Sequence, residues 1–442
     1  MRIGTFDLGQ FYPETNLQTA ASALLLAGGA MVADAYGASA GVSFASGVGA
    51  LALGWVSRQA ITSWMRDNCL LGSDLDEWTA TDNPVDYSEL LEALEAHGLV
   101  GARHAGALPG PVLTRHLIRI PKGTRLGKLP DDDIARDMGA PDITITRNAG
   151  RGLIALDVPN GSRDTVEFST LLESPQWATQ RKGMKLPACP GVDATGKPFV
   201  FDLKRAVHLF VAGTTGAGKS VLVNAILLSL LRSGAGFSLM IGDGKGEDFA
   251  PYYGDSGRMV QTYDITRTVG NVEVTTPAAL PLATEVLDIA AQAEWLEAEM
   301  DARFSGGDKS TPIVFVVDEL ADVLGLAKRD KKLMTEERLQ RLAQKGRSAN
   351  IHMILCTQSP NSEIFSQTFR ANIPSAIGLK TKTADQSKVA IQSTGCEKLL
   401  GDGDAFAVIG AETTRIHGAL VTGADILSTL GRGAIISQSN KE

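Results

Sequence analysis

The sequence predicts an α/β protein. A large unit built on a mostly parallel sheet follows a smaller α/β unit and an N-terminal helical hairpin. Three observations predict it. From about residue 186 onward, short continuous apolar runs alternate with amphipathic stretches of helical period. Strands apolar on both faces and separated by helices imply a mostly parallel sheet covered on both sides. One such run, in "FVAGTTGAGKSVLVNAILLSLL" (Phe210–Leu231), enters a glycine-rich loop that opens directly into a long helix pattern. Finally, 442 residues exceed one ordinary domain.

The bulk numbers exclude some classes. With 44% hydrophobic and 21% charged residues the chain is globular in composition. Its net charge of −8 is not that of a protein that coats nucleic acid, so any nucleic acid must be met by a local basic lining. Cys69, Cys189, Cys356 and Cys396 form no C-x-x-C pair. They offer neither a metal signature nor a disulfide framework, which fits a reducing cytoplasm. The start "MRIGTFDLGQFYPE" is a poor secretory signal.

Taken in order, Thr19–Ser57 carries one formal charge, Asp34. It divides into Leu17–Ala33 and Ala38–Ser57, each near the ~20 residues a helix needs to cross a bilayer. Ala, Gly and Ser permit close helix approach, and Arg58 and Arg66 follow on the expected cytoplasmic side. Residues 1–57 are therefore expected to form a membrane hairpin; a soluble Ala-rich hairpin is the alternative. Residues 58–87 form a polar connector. A small α/β domain is expected over 88–172: "YSELLEALEAHGL" has helical spacing, "PVLTRHLIRI", "DITITR" and "GLIALDV" read as strands, and "IARDMG" as a short helix. A linker is expected over 173–190, the large α/β unit over 191–430 and a tail over 431–442.

The loop Gly213-Thr214-Thr215-Gly216-Ala217-Gly218-Lys219-Ser220 reads G-x-x-x-x-G-K-S and is expected, with Val221, to hold a nucleotide. Its glycines permit backbone angles that turn N–H groups onto phosphate oxygens. The helix beginning at Lys219 adds its positive end. Lys219 would reach the β- and γ-phosphates of ATP, and Ser220 would ligate Mg²⁺. "PIVFVVDELAD" delivers Asp318 and Glu319 from the end of a buried strand to the same sheet edge. Asp318 would hold Mg²⁺ or its water shell, and Glu319 would act as general base on an attacking water. That pair favours hydrolysis over transfer to a small acceptor. Gln358, ending the run "IHMILCTQ", is placed to contact the γ-phosphate, with a strand-end amide bonded to backbone as the alternative. Arg341, Lys345 and Arg347 lie on or beside the helix "EERLQRLAQKGR". They are a solvated charged face, or one of them reaches a neighbouring subunit's phosphate.

These stretches, with "RANIP" and "GCEKLLGDGDAF", resemble the motor of the FtsK/SpoIIIE family of DNA translocases. "GPVLTRHLIRIPKG", "DITITR" and "GLIALDVPN" resemble the family's preceding domain, so the likeness covers roughly residues 88–425. It implies a RecA-like ATPase fold, a hexameric ring of identical subunits and double-stranded DNA threaded through the centre. It favours Arg347 as the arginine acting in trans and makes Arg370 a pore-loop contact to the DNA backbone, a sequence-blind kind of contact. The family's next basic stretch is matched at Lys388, whereas Ala384 occupies a lysine's place; Lys380 or Lys382 is expected to substitute. Ser359 follows Gln358 where the family often has an arginine. No winged-helix module is expected after the motor, and a short hairpin stands where the family's chromosome-segregating members have a long membrane region. The expectation is an ATP-driven double-stranded DNA translocase for transfer of a plasmid or mobile element, with its motor on the cytoplasmic side of the membrane. The alternatives are a chromosome or plasmid segregation motor, a protein-secretion ATPase of the same superfamily and a membrane-tethered ATP-binding switch.

Overall fold

The structure is a computed structural model that describes residues 87–431, apart from 125, 127–128, 141, 151, 253–264, 270–271 and 277–280. The expected membrane hairpin, nearly all of the connector and the tail from 432 lie outside the described residues. Among the described residues no helix is long and apolar enough to cross a membrane.

The first sheet is antiparallel, in the order β1-β2-β4-β3, with β1 Arg103–Pro109, β2 Leu113–Arg119, β3 Thr144–Gly150 and β4 Leu153–Pro159. The helices Ser88–Ala96 and Asp131–Asp137 give it one apolar layer, in which Leu94, Ile118, Ile134, Ile154 and Leu156 are buried together. Strand β1, "RHAGALP", carries no strand signal of its own. Glycine and proline weaken its propensity, and it forms because β2 offers a paired edge, with a register shift between His104 and Gly106.

The second sheet has ten strands in the order β11-β8-β12-β13-β7-β14-β15-β16-β5-β6. Its members are β5 Pro187–Asp193, β6 Pro198–Asp202, β7 Leu209–Ala212, β8 Ser238–Gly242, β11 Leu282–Ala283, β12 Ile313–Val317, β13 Ile351–Thr357, β14 Ser375–Leu379, β15 Asp404–Ile409 and β16 Glu412–Gly418. A separate ribbon pairs β9 Ile265–Val269 with β10 Val272–Thr276. From β11 across to β14 all neighbours are parallel; from β14 to β6 all are antiparallel. The expected mostly parallel sheet is therefore mixed. The departure lies in two antiparallel hairpins, β15–β16 and β5–β6, joined to each other by the long-range pairing of β16 with β5.

Alternation along β12 shows that both faces are covered. Val314 and Val316 enter one core with Ile226 and Leu227 of the helix Lys219–Arg232. Phe315 and Val317 enter the other with Leu296 of the helix Val286–Phe304. The stretch expected as a linker, 173–190, is structured. Ser174 caps the helix Pro175–Gln180 by accepting from the Trp177 N–H at 3.2 Å, Trp177 is buried in the first of these cores, and β5 begins at Pro187.

The two sheets meet at Arg415. Its guanidinium donates to both carboxylate oxygens of Asp404, at 3.1 and 2.8 Å, and to Asp142 at 3.2 Å and Thr144 Oγ1 at 2.7 Å beside the first sheet. Burial pushes the Asp142 carboxyl up to about 6, against the pull of Arg415, while nearby Asp404 adds to the rise. Removing the cation would leave two carboxylates unpaired in the interior. Arg415→Met is expected to cost about 3–5 kcal/mol, the usual penalty for breaking a buried ion pair from one side. Urea unfolding of the full chain measures it, and a loss below about 1 kcal/mol would show that the cluster does not hold the sheets together.

Candidate nucleotide site

Strands β14, β7, β13, β12 and β8 are mutual parallel neighbours, so the segments leaving them emerge at one edge of the sheet. That edge collects Lys380, the glycine-rich loop, Gln358, Asp318 with Glu319, and Asp243. It is the position where open α/β sheets bind ligands.

The loop from β7 is tied on three sides. The Gly213 N–H donates to the Thr357 carbonyl at 3.2 Å, and the Thr214 N–H and hydroxyl both donate to the Lys380 carbonyl, at 2.9 and 3.1 Å. Thr215 Oγ1 donates to Gln358 Oε1 at 2.7 Å. Ala217 N–H closes the turn onto the Thr214 carbonyl at 3.0 Å. Gly218 must be glycine: its φ is +95°, and a Cβ there would lie 3.0 Å from the Gly403 nitrogen. The helix starting at Lys219 then aims its first N–H groups, which have no helical acceptor, at the loop's mouth.

Lys219 is 4% exposed, and its ammonium forms a buried ion pair with Asp318 Oδ1 and donates to the Asp318 carbonyl at 3.1 Å. Ser220 Oγ donates to Asp248 Oδ2 at 2.6 Å. Glu319 is buried, with one oxygen accepting from Thr357 Oγ1 at 2.6 Å and the other from the Gln358 N–H at 2.9 Å. Burial holds its pKa above the usual carboxylate range, opposed by these hydrogen bonds and by the charge of Lys219.

The residues fit Mg²⁺. Asp318 Oδ2 is buried without a hydrogen-bond partner, and the Ser220 hydroxyl, donating its proton to Asp248, keeps its lone pairs for a ligand. Among the described residues no group of three or more His, Cys, Asp or Glu could hold a metal. A Mg²⁺ bound largely through nucleotide phosphates and water needs only one or two protein ligands. When bound, it neutralises charge on the phosphates.

The remaining expected residues divide. Arg347 is exposed in the turn Gly346–Ala349, which Arg303 braces by donating to the Ala349 carbonyl at 2.9 Å. This turn precedes β13, at the sheet edge opposite the glycine-rich loop and about 20 Å from it by strand rise. Arg341 is engaged by Glu297 and Asp301 at 2.7 and 2.8 Å. Lys380 and Lys382 are exposed just beyond the end of β14, and Lys388 is exposed in the helix Ala384–Ile391, paired with Asp385 at 2.9 Å. Arg370 is corrected. It is 4% exposed, stacks over the Phe210 ring at 4.1 Å, and donates to the carbonyls of Val389, Ile373 and Ala390 at 2.8, 3.3 and 2.9 Å. It closes the C-terminal end of the helix Ala384–Ile391, so its charge is spent inside the fold rather than presented to DNA.

Two residues of the site escaped sequence reasoning. Asp248, which holds Ser220, lies in "GDGKGED" after β8, and the only hint was an acid-rich segment following a buried strand. Thr357, which clamps Glu319, is the last residue of β13; a hydroxyl there carries no signal until β12 and β13 are known to be neighbours.

A glycine-rich loop between strand and helix, a buried lysine behind it and an acid-ended strand one place removed define a P-loop ATPase fold. The family model described as FtsK/SpoIIIE family matches residues 169–254 and 305–362, and that of the FtsK alpha domain matches 75–160. The chain belongs to the FtsK/SpoIIIE family, whose members are P-loop ATPases. It is 34% identical over 399 residues to DNA translocase FtsK 2 of Neisseria meningitidis, covering 80% of this chain and 37% of that one. It is 30% identical over 369 residues to DNA translocase SftA of Bacillus subtilis (77% and 36%), and 30% identical over 371 residues to DNA translocase FtsK of Pseudomonas putida (73% and 41%). The chain thus spans about two fifths of the length of these relatives. Among solved structures, the pCW3 conjugation coupling protein TcpA, in its monomer form with ATPγS, has a similar fold. The TM-score is 0.51 at 17% identity, covering 78% of this chain and 98% of that one.

The clamp on Glu319 yields a pH prediction. Were Glu319 the general base, it would work only when ionised, and turnover would rise with pH through its pKa. The Thr357 hydroxyl favours the ionised form and lowers that pKa. In Thr357→Val the acid limb of ATP hydrolysis is expected to move to higher pH; an unmoved limb in a steady-state pH profile would separate Glu319 from the proton transfer.

Proposed function

We propose that the protein is an ATP-driven motor, RecA-like in its mechanics, that moves double-stranded DNA through a ring of its own copies. One observation carries the reading. The carbonyl of Lys380 accepts two hydrogen bonds from Thr214, so the phosphate-binding loop is bonded directly to the segment that bears Lys380 and Lys382. A change in the loop as phosphate binds or leaves is transmitted to Lys380 itself and to Lys382, two residues on.

In this mechanism the loop Gly213–Ser220 binds the triphosphate. Lys219 exchanges its Asp318 partner for phosphate oxygens, while Asp318 and Ser220 hold Mg²⁺. Glu319 takes the proton of the attacking water, and Gln358, hydrogen-bonded to Thr215, registers the γ-phosphate. Arg347 lies too far from its own loop to serve it, which supports a role at the site of a neighbouring subunit. A closed hexamer places every such arginine against a phosphate loop. Lys380, Lys382 and Lys388 contact the DNA backbone, whose uniform charge suits a tracking motor. The apolar stretches within residues 1–57 tether the motor to the cytoplasmic membrane, and the DNA belongs to a plasmid or mobile element. Segregation of a chromosome would use the same machinery.

Two experiments test the motor. ATP hydrolysis by the full chain is expected to rise at least several-fold with double-stranded DNA; a rate indifferent to DNA would favour a polypeptide cargo. Glu319→Gln and Arg347→Ala are each expected to lower turnover about a thousandfold, in the range seen for a trans-acting arginine. Mixing the two inactive variants should restore part of it, because some interfaces then pair an intact glutamate with an intact arginine. No recovery on mixing would remove Arg347 from the neighbour's site.

A further inference from the structure

The short helix Leu203–Ala206 reaches β7 through a strained link. Val207 has φ +69° and ψ −75°, and the His208 N–H donates to the Ala206 carbonyl at 2.9 Å. This is a γ-turn of the rarer, strained hand. A β-branched residue with positive φ is a true outlier, and such strain persists only where the surrounding structure holds it. Here Ser375 Oγ donates to the Ala206 carbonyl at 3.0 Å, and His352 Nδ1 donates to the Val207 carbonyl at 2.9 Å. The link precedes β7, and β7 runs parallel to β13, so it lies at the sheet edge that bears Arg347.

Two buried imidazoles stand between this link and the turn Gly346–Ala349. His208 follows Val207, and its Nδ1 accepts from the Met353 N–H at 3.1 Å. Gly346 lies against the His208 ring: a Cβ there would be 3.3 Å from Cε1. His352 hangs from the Val207 carbonyl, and its Nε2 lies 3.3 Å from Asn350 Oδ1. Asn350 closes the turn, its N–H donating to the Arg347 carbonyl at 3.1 Å. One ring therefore supports each end of the turn. Burial pushes the His208 pKa down to about 3 and lowers that of His352. Both rings are neutral at pH 7 and do not repel the arginine above them.

Resting on the trans-acting reading of Arg347, we propose that His208 and His352, both fixed by the strained turn at Val207, are positioning residues that aim Arg347 at a neighbouring subunit's nucleotide. The Arg347 side chain is exposed, so its aim must come from the backbone beneath it. Aim matters because a misplacement of about 1 Å can cost about a hundredfold in rate. The γ-turn turns the Val207 carbonyl to His352 and joins the seat of the arginine to β7, the strand that carries the phosphate loop. The arginine given to one site and the loop that serves another are thereby referenced to one sheet.

Mixing Glu319→Gln and Arg347→Ala chains gives a directional test, because only the Glu319→Gln chain then supplies the arginine. His352→Leu added to that chain is expected to lower the recovered ATP hydrolysis about tenfold, the worth of one hydrogen bond to a buried acceptor. The same substitution added to the Arg347→Ala chain, which hydrolyses but supplies no arginine, is expected to spare the recovery. Equal losses in the two placements would make His352 a residue of the fold alone, and no loss in either would make it dispensable; both results overturn the proposal. Should His352→Leu fail to fold, Asn350→Gly takes the same two placements with the same expectation: glycine accepts the φ of +59° there and removes the side chain that meets His352. No recovery by the parent pair would remove the trans role of Arg347 itself, and this proposal with it.

Discussion

The ion pair between Lys219 and Asp318 is the constraint on which the site depends. Taking two opposite charges out of water costs several kcal/mol each, and only close pairing with further hydrogen bonds offsets it. The pairing requires that the loop after β7 and the end of β12 lie at one edge of the sheet, with β13 between them. The same placement brings Gln358 to Thr215 and Thr357 to Glu319, because both come from the intervening strand. The lysine is thus held where a phosphate would be bound, and its charge is compensated before a ligand arrives. An arriving triphosphate brings negative charge of its own and can compete for the ammonium, which turns a structural pair into a step of the chemistry.

A second buried cation does comparable work on the other half of the sheet. Arg415 joins Asp404 of the large sheet to Thr144 of β3 and the nearby Asp142. Asp404 immediately follows Gly403, whose N–H donates to the carbonyl of Ala217 in the glycine-rich loop at 3.0 Å. The loop is consequently bonded on one side to the segment carrying Lys380 and on the other to the strand that anchors the small sheet. Rearrangement of this loop has two physical outlets, one toward exposed lysines and one toward the preceding domain.

How much was legible in the sequence varied with the range of the interaction. The glycine-rich loop, the acid-ended strand β12 and the helix after Gly218 are local patterns, and each lies where its residues predict. The helix Ser88–Ala96 and the hairpin β3–β4 are local as well. Strand β1 and the helix Pro175–Gln180 were not read, since a strand containing glycine and proline and a helix carrying one buried tryptophan depend on what they meet. Arg370 shows the limit for side chains. The family resemblance placed it against DNA, and the approach of Phe210 and of the end of the helix Ala384–Ile391 takes it into the interior instead.

The sequence by itself determined the class of chemistry. A loop that can cradle phosphate, a lysine and serine opening a helix, and two acids ending a buried strand are specified within a few residues of one another, where covalent spacing dictates geometry. Tertiary structure alone decided that the sheet is mixed rather than mostly parallel, that Asp248 orients Ser220, that Arg347 faces away from its own loop, and that two buried histidines lie against the turn that bears it. Each of these depends on residues tens to hundreds of positions apart. No local spacing encodes which strands become neighbours; the burial of both faces of one sheet does.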